Sequence, residues 1–285
     1  MPVVITSHKV AGAPFRPTPN HGASFAAGMP DTLIIHFTGG SSADSSVAWL
    51  CNPQAKASAH VVVARDGSIT QLVPFDIVAW HAGESSYGGR SGFNRYSIGI
   101  EIDNPGRLAR TESGSYIASF GRSYPPEQVI SAVHRNERSP SFWLTYPEPQ
   151  IAAVFDLSAA LCAAYGVKQI LGHEEIAPGR KIDPGPAFPL DRLRQQLIDR
   201  GRDAEGPAVP IAALAKPVAA VPPSPAHGVV IADWLNVRLA PRADAPLAAP
   251  PLRRGALIEV LGAQSGWCRI GGGVSGWVMA KYLST

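Results

Sequence analysis

Apolar residues in this chain come in short bursts, and most bursts predict an element. TLIIH (residues 32–36) is an apolar run rich in β-branched side chains, as in a buried strand, and it delivers His36 at its end. AHVVVARDGSITQLV (59–73) predicts a hairpin, its Asp66-Gly67 pair suiting a two-residue turn with positive backbone angles. YSIGIEI (96–102) alternates so that Glu101 faces away from Ile100 and Ile102. A helix is expected from about Tyr146, where Thr145 and Glu148 have the capping-box spacing. Its apolar stripe is Ile151, Val154, Phe155, Leu161, Cys162 and Tyr165, and Gly166 ends it. VKQIL (167–171) reads as a short strand running into His173, and PLDRLRQQLIDR (189–200) as an amphipathic helix.

Interleaved strands and helices predict an α/β fold, a mixed β-sheet flanked by helices. Residues 104–145 have no steady period and are expected to form a long loop, with a short helix in PPEQVISAVHR (125–135). Residues 201–225 carry six prolines and many alanines, the composition of a semi-stiff linker. Beyond it, residues 226–285 alternate short apolar runs with Gly, Pro and polar turns, an all-β pattern. The expected organisation is a domain at 1–200, a linker at 201–225 and a domain at 226–285.

Composition narrows the function classes. The formal charge of +3 is a mild basic bias, and no run of Lys or Arg tracks a nucleic-acid backbone, so nucleic acid is excluded as a partner. No stretch of about eighteen apolar residues predicts a membrane span. Cys51, Cys162 and Cys268 fit neither a disulfide framework nor a metal knuckle and are expected as reduced, partly buried thiols. The N-terminus shows no secretion signal, which makes a cytoplasmic setting the expectation.

Three separated pieces carry candidate chemistry: HFTGG (36–40), SIGIEI (97–102) and GHEEIAPGRKIDPGP (172–186). Imidazole and carboxylate suit Zn2+, and a hydrolytic site uses three protein ligands; His36, His173 and Asp183 meet that count. Glu101 can accept a proton, and the Lys181 ammonium can face a developing oxyanion. Taken one at a time, a strand-end histidine is more often a hydrogen-bonded structural residue and an Asp-Pro-Gly triplet more often only a turn. His173-Glu174-Glu175 lacks the second histidine of a HExxH helix, which excludes a zincin-type protease.

In this order, the three pieces resemble the type 2 N-acetylmuramoyl-L-alanine amidases, relatives of phage amidases and animal peptidoglycan recognition proteins. SAHVVVARDGSITQLVPFDIVAWHAG (58–83) is similar to that family's central hairpin and the WHAG turn after it, and the likeness runs through nearly all of 30–200. The resemblance implies His36, His173 and Asp183 as zinc ligands, Glu101 as catalytic carboxylate and Lys181 as the cation near the substrate carbonyl. Binding-only members typically lack the third ligand, so Asp183 favours an enzyme that hydrolyses the amide between N-acetylmuramic acid and L-alanine. Peptidoglycan or a muropeptide fragment is then the substrate partner; the sequence leaves the oligomeric state open.

Trp80 and His81 are candidate substrate contacts, since amphipathic rings suit sugar or peptide. His60, inside a hairpin strand, is expected to be packed and hydrogen-bonded, and His8, His21, His134 and His227 to be solvated. LNVR, RRGALIEVL, SGWCRI, SGWV and KYL in the last 60 residues are similar to the bacterial Src-homology-3-like barrel, which implies wall binding. There Trp277 is expected in the core and Trp234 is open between core and anchor. The competing readings are a non-catalytic peptidoglycan sensor, a phage endolysin and an exported wall hydrolase.

Overall fold

The computed structural model describes residues 3–112, 114–198, 226–232, 234–243, 245–271 and 274–284. It divides into two compact units, Met1–Leu190 and Asp191–Thr285. The linker expected at 201–225 lies outside the described residues.

The first unit is built on a five-stranded mixed sheet ordered Gln169–Gly172, Thr32–Phe37, Ser97–Ile102, Val61–Val63, Ile69–Gln71. The first four strands are parallel and the last closes the hairpin antiparallel. Parallel strands are buried on both faces, which is why TLIIH and SIGIEI read as nearly continuous apolar runs. On one face Leu33, Ile35, Ile98, Ile100 and Ile102 are completely buried. The other face carries Ile34 and Val62, packed in separate clusters with Phe93 and Ile176 and with Val47 and Leu50 of helix α1 (Ala43–Leu50). The predicted mixed sheet is present; its helical cover is thinner than expected, with α1, α2 (Glu148–Tyr165) and the single turn α3 (His173–Ile176) among the described residues of this unit, while all but the first residue of α4 (Leu190–Leu197) belongs to the second.

Local details depart from expectation for identifiable reasons. Ala64 and Ser68 pair across the hairpin end, so its loop is Arg65-Asp66-Gly67, three residues instead of two, with only Gly67 at positive φ (88°). A type I turn closed by a left-handed glycine has that length. No capping box starts α2: Pro147 is its N-cap without a side-chain bond, and the Thr145 hydroxyl donates to the Gln128 carbonyl. Pro149, at the second helical position, has no N–H, so the first turn has one donor fewer to satisfy.

The largest departure is at 104–145. In place of a loop, a second five-stranded antiparallel sheet stands there, ordered Ser123–Tyr124, Tyr116–Ile117, Arg107–Arg110, Pro140–Leu144, Val129–Val133. The helix expected in PPEQVISAVHR is a 3-10 turn, Pro126–Gln128, followed by strand VISAV. Its β-branched residues favour the strand, and pairing with Pro140–Leu144 decides the matter. Leu108, Ala118 and Leu144 give this lobe its own small core.

In the second unit seven antiparallel strands run in the order Leu247–Arg253, Trp234–Arg238, Gly276–Met279, Trp267–Gly271, Leu257–Gln264, Ala226–Val230, Leu283–Ser284. Val230, Leu235, Val237, Ile258, Cys268, Ile270 and Val278 form the core. Trp277 is therefore not the core tryptophan: alternation sends its neighbour Val278 inward, and the buried indole is Trp267. Trp234 is half-buried beneath the Arg253 guanidinium, 3.7 Å from its ring centre.

Candidate active site

Strand register assembles the site. Glu101 is paired with His36, and Gly172 with Ile35, so His173, the next residue, emerges level with His36. All three leave the carboxyl ends of parallel strands, where open α/β sheets bind ligands. Asp183 arrives on the Gly- and Pro-rich loop after α3. That loop is tied down by the Glu174 N–H donating to the Asp183 carbonyl (2.8 Å) and the Tyr146 hydroxyl donating to the Pro184 carbonyl (2.8 Å).

The three side chains converge tightly. His36 Nδ1 and His173 Nδ1 are 2.9 Å apart, and Asp183 Oδ2 lies 3.0 and 2.9 Å from them. The partners behind the rings decide which nitrogens carry protons. His173 Nε2 faces the Ala82 carbonyl at 3.1 Å, and a carbonyl only accepts, so Nε2 bears a hydrogen and the neutral ring has its lone pair on Nδ1. His81 Nε2 likewise faces the Ser97 carbonyl at 3.2 Å. Its bare Nδ1 accepts from His36 Nε2 at 3.0 Å, leaving His36 Nδ1 unprotonated as well. Burial, reinforced by the neighbouring His173, lowers His36 to about 4, so the ring is neutral at ordinary pH. With both rings neutral, two lone pairs and a carboxylate oxygen meet here, a donor set that fits a metal cation.

Glu101 and Lys181 border the same cleft, a cavity of about 550 Å³. Burial, and after it the negative charge of Asp183, pushes Glu101 up to about 8, with Lys181 opposing the shift. Its Oε2 is buried without a hydrogen-bond partner among the described residues. Such an oxygen is available to a proton. Trp80, 37% exposed, borders the cleft, as does His81, but the latter is buried and both its ring nitrogens are engaged by protein. His60 is packed as expected, accepting from the Gly99 N–H and facing the Ile77 carbonyl.

His134 corrects the expectation of a solvated side chain. It is 1% exposed, lies parallel to Trp143 and meets Glu174 Oε2 at 2.6 Å. Arg135 pairs with Glu174 at 2.7 Å and also with Glu175, so the antiparallel lobe grips the two residues that follow His173. The lobe further lends Arg107 to the cleft, and the opposite wall includes Trp49 and Arg180. Sequence reasoning overlooked these residues, and the only signal was the strand-like VISAV run beside His134. His8 and His21 are exposed, whereas the His227 side chain lies outside the described residues.

A cleft at the strand ends of an α/β sheet, with two imidazoles and a carboxylate converging beside a free carboxyl and an ammonium, defines a hydrolase-type site around a metal-binding group. The profile of the N-acetylmuramoyl-L-alanine amidases matches residues 26–186, and that of the bacterial SH3 domain residues 232–285. The chain belongs to the N-acetylmuramoyl-L-alanine amidase family and is an enzyme of that class. It is 33% identical over 202 residues to the 1,6-anhydro-N-acetylmuramyl-L-alanine amidase AmpD of Escherichia coli (strain K12), covering 65% of this chain and 92% of that relative. To the N-acetylmuramoyl-L-alanine amidase AmiD of the same organism it is 35% identical over 183 residues, covering 61% and 55%. A crystal structure of a Se-Met AmpD derivative superposes with a TM-score of 0.48 at 27% identity, over 68% of this chain and 99% of that one.

Proposed function

We propose that the chain is a zinc-dependent amidase that hydrolyses the bond between the lactyl carbonyl of N-acetylmuramic or anhydro-muramic acid and the nitrogen of L-alanine. The observation that carries this reading is the convergence of three potential ligands, His36, His173 and Asp183, within 3.0 Å of one another beside Glu101. A zinc ion held there supplies a polarised carbonyl and a water that ionises near neutrality. In its ionised form Glu101 takes the proton of the attacking water on its unpartnered Oε2 and returns it to the alanine nitrogen as the C–N bond breaks. The Lys181 ammonium faces the carbonyl oxygen and gains most as negative charge develops there. Trp80 offers its exposed ring to the sugar or stem peptide.

We assign residues 1–200 to the amidase, 201–225 to a linker and 226–285 to an SH3-like domain; the family matches at 26–186 and 232–285 support these limits. The relative named for a 1,6-anhydro-muramyl substrate favours soluble turnover fragments and a recycling role in the cytoplasm. The bacterial SH3 domain favours a second setting, the intact wall. Mass spectrometry of anhydro-muropeptides and sacculi digested side by side separates the two. Release of free L-alanyl peptide mainly from the soluble fragment supports recycling, and release mainly from sacculi overturns it. Asp183→Ala is expected to lose both bound zinc, read by elemental analysis, and turnover; full activity in that variant overturns the ligand assignment.

A further inference from the structure

Both histidines of the donor set are oriented from behind by two consecutive residues of the WHAG turn. The His81 side chain meets His36 Nε2 at 3.0 Å, and the carbonyl of Ala82 meets His173 Nε2 at 3.1 Å. This turn is itself held in place. Asn94 Oδ1 accepts the backbone N–H groups of both His81 (3.0 Å) and Ala82 (2.7 Å), and an Arg180 N–H donates to the Ala82 carbonyl at 2.9 Å. The His81 ring fills space that only glycine leaves at position 99, where a Cβ would stand 2.4 Å from its Cγ. On its far side the ring faces the Ser97 carbonyl. His60 stands edge-on to it, ring centres 5.9 Å apart.

We infer that His81 is a positioning residue for His36: by accepting the His36 Nε2 proton it fixes the tautomer that presents a bare Nδ1 to the metal. A carbonyl does this job for His173 and cannot present the wrong atom. An imidazole can, unless its own tautomer is set, and the Ser97 carbonyl sets it by requiring a hydrogen on His81 Nε2. Remove His81 and nothing else among the described residues receives the His36 Nε2 proton, so the ring is free to place that proton on the nitrogen meant for the metal. Partners of this kind are worth roughly 10- to 100-fold in metal affinity. This assignment rests on the metal reading proposed above and gives His81 a role other than substrate contact.

Two measurements test it. Long-range ¹H–¹⁵N spectra of the metal-free protein report which nitrogen of each histidine is protonated, and competition with a chelator reports zinc affinity. The wild type is expected to show His36 protonated at Nε2. His81→Phe should weaken zinc about 10- to 100-fold, whereas His81→Asn, whose Oδ1 occupies the place of Nδ1 as an acceptor, should restore most of that affinity. Thermal unfolding of the metal-free variants establishes that each is folded. A folded His81→Phe that binds zinc like the wild type overturns the inference, as does a wild-type His36 protonated at Nδ1. If His81→Phe does not fold, the His36 tautomer in wild type and His81→Asn decides: Nε2–H in both supports the assignment, Nδ1–H in either overturns it. A wild type that takes up no zinc overturns the metal reading, while its spectra still test the relay.

Discussion

Glu101 sits in an environment far from what its chemistry prefers. Its carboxyl sits on the inner face of the sheet, level with His36, and burial raises it to about 8 from an ordinary 4.5. The folded chain therefore binds this proton more tightly than the unfolded chain. Stability from that source is fully present below about 4.5 and is lost as pH rises through about 8, at about 1.4 kcal/mol per unit. Metal-free Glu101→Gln, which carries no titrating carboxyl, is expected to gain stability relative to the wild type by a few kcal/mol across this window, the buried histidines contributing equally to both. Denaturant titrations at pH 5 and 8.5 read the difference, and parallel pH profiles for the two proteins would refute it. The same substitution should retain zinc and cost about 100- to 10,000-fold in turnover, the usual worth of a general base.

At the scale of elements, the antiparallel lobe at 104–145 acts on the site without contributing a donor to it. Through His134 and Arg135 it secures Glu174 and Glu175, the residues between His173 and the rest of α3. Glu174 Oε2 in turn accepts the Gly185 N–H at 3.1 Å, linking the lobe to the loop that carries Asp183. His134→Phe keeps a ring against Trp143 but deletes a buried hydrogen bond to a carboxylate, and is expected to cost about 1.5–3 kcal/mol. Urea unfolding of the full chain measures it; a loss below a few tenths of a kcal/mol would mean the clamp is slack. This element was the least legible in the sequence. Its strands are two to five residues long and pair across turns, so no local period announces them, whereas the parallel strands are nearly continuous apolar runs and read directly.

Over the whole molecule, two separate cores imply two cooperative units, since each buries its own apolar set. Scanning calorimetry of the full chain is expected to show two transitions. Saturating zinc should raise only the one that belongs to the amidase unit, by about 2.7 kcal/mol of stability at one hundred times Kd. A single transition, or a shift of both, would contradict independent units.

By itself the sequence determined the pieces: strands that end in His36 and His173, the alternation that turns Glu101 inward, a Gly- and Pro-rich loop carrying Lys181 and Asp183, and the family those motifs belong to. Strand propensity and period are local properties, and they are written in neighbouring residues. Only the tertiary structure decided that donors 137 and 147 residues apart meet within 3.0 Å, which follows from parallel register for the two histidines and from the hydrogen-bonded loop for Asp183. It also decided that carbonyls of Ser97 and Ala82 set the protons on the rings, and that His134, polar and unremarkable in the chain, is buried. Each of these depends on what stands across a strand or behind a ring, and hydrogen bonds of that reach leave no trace in local pattern.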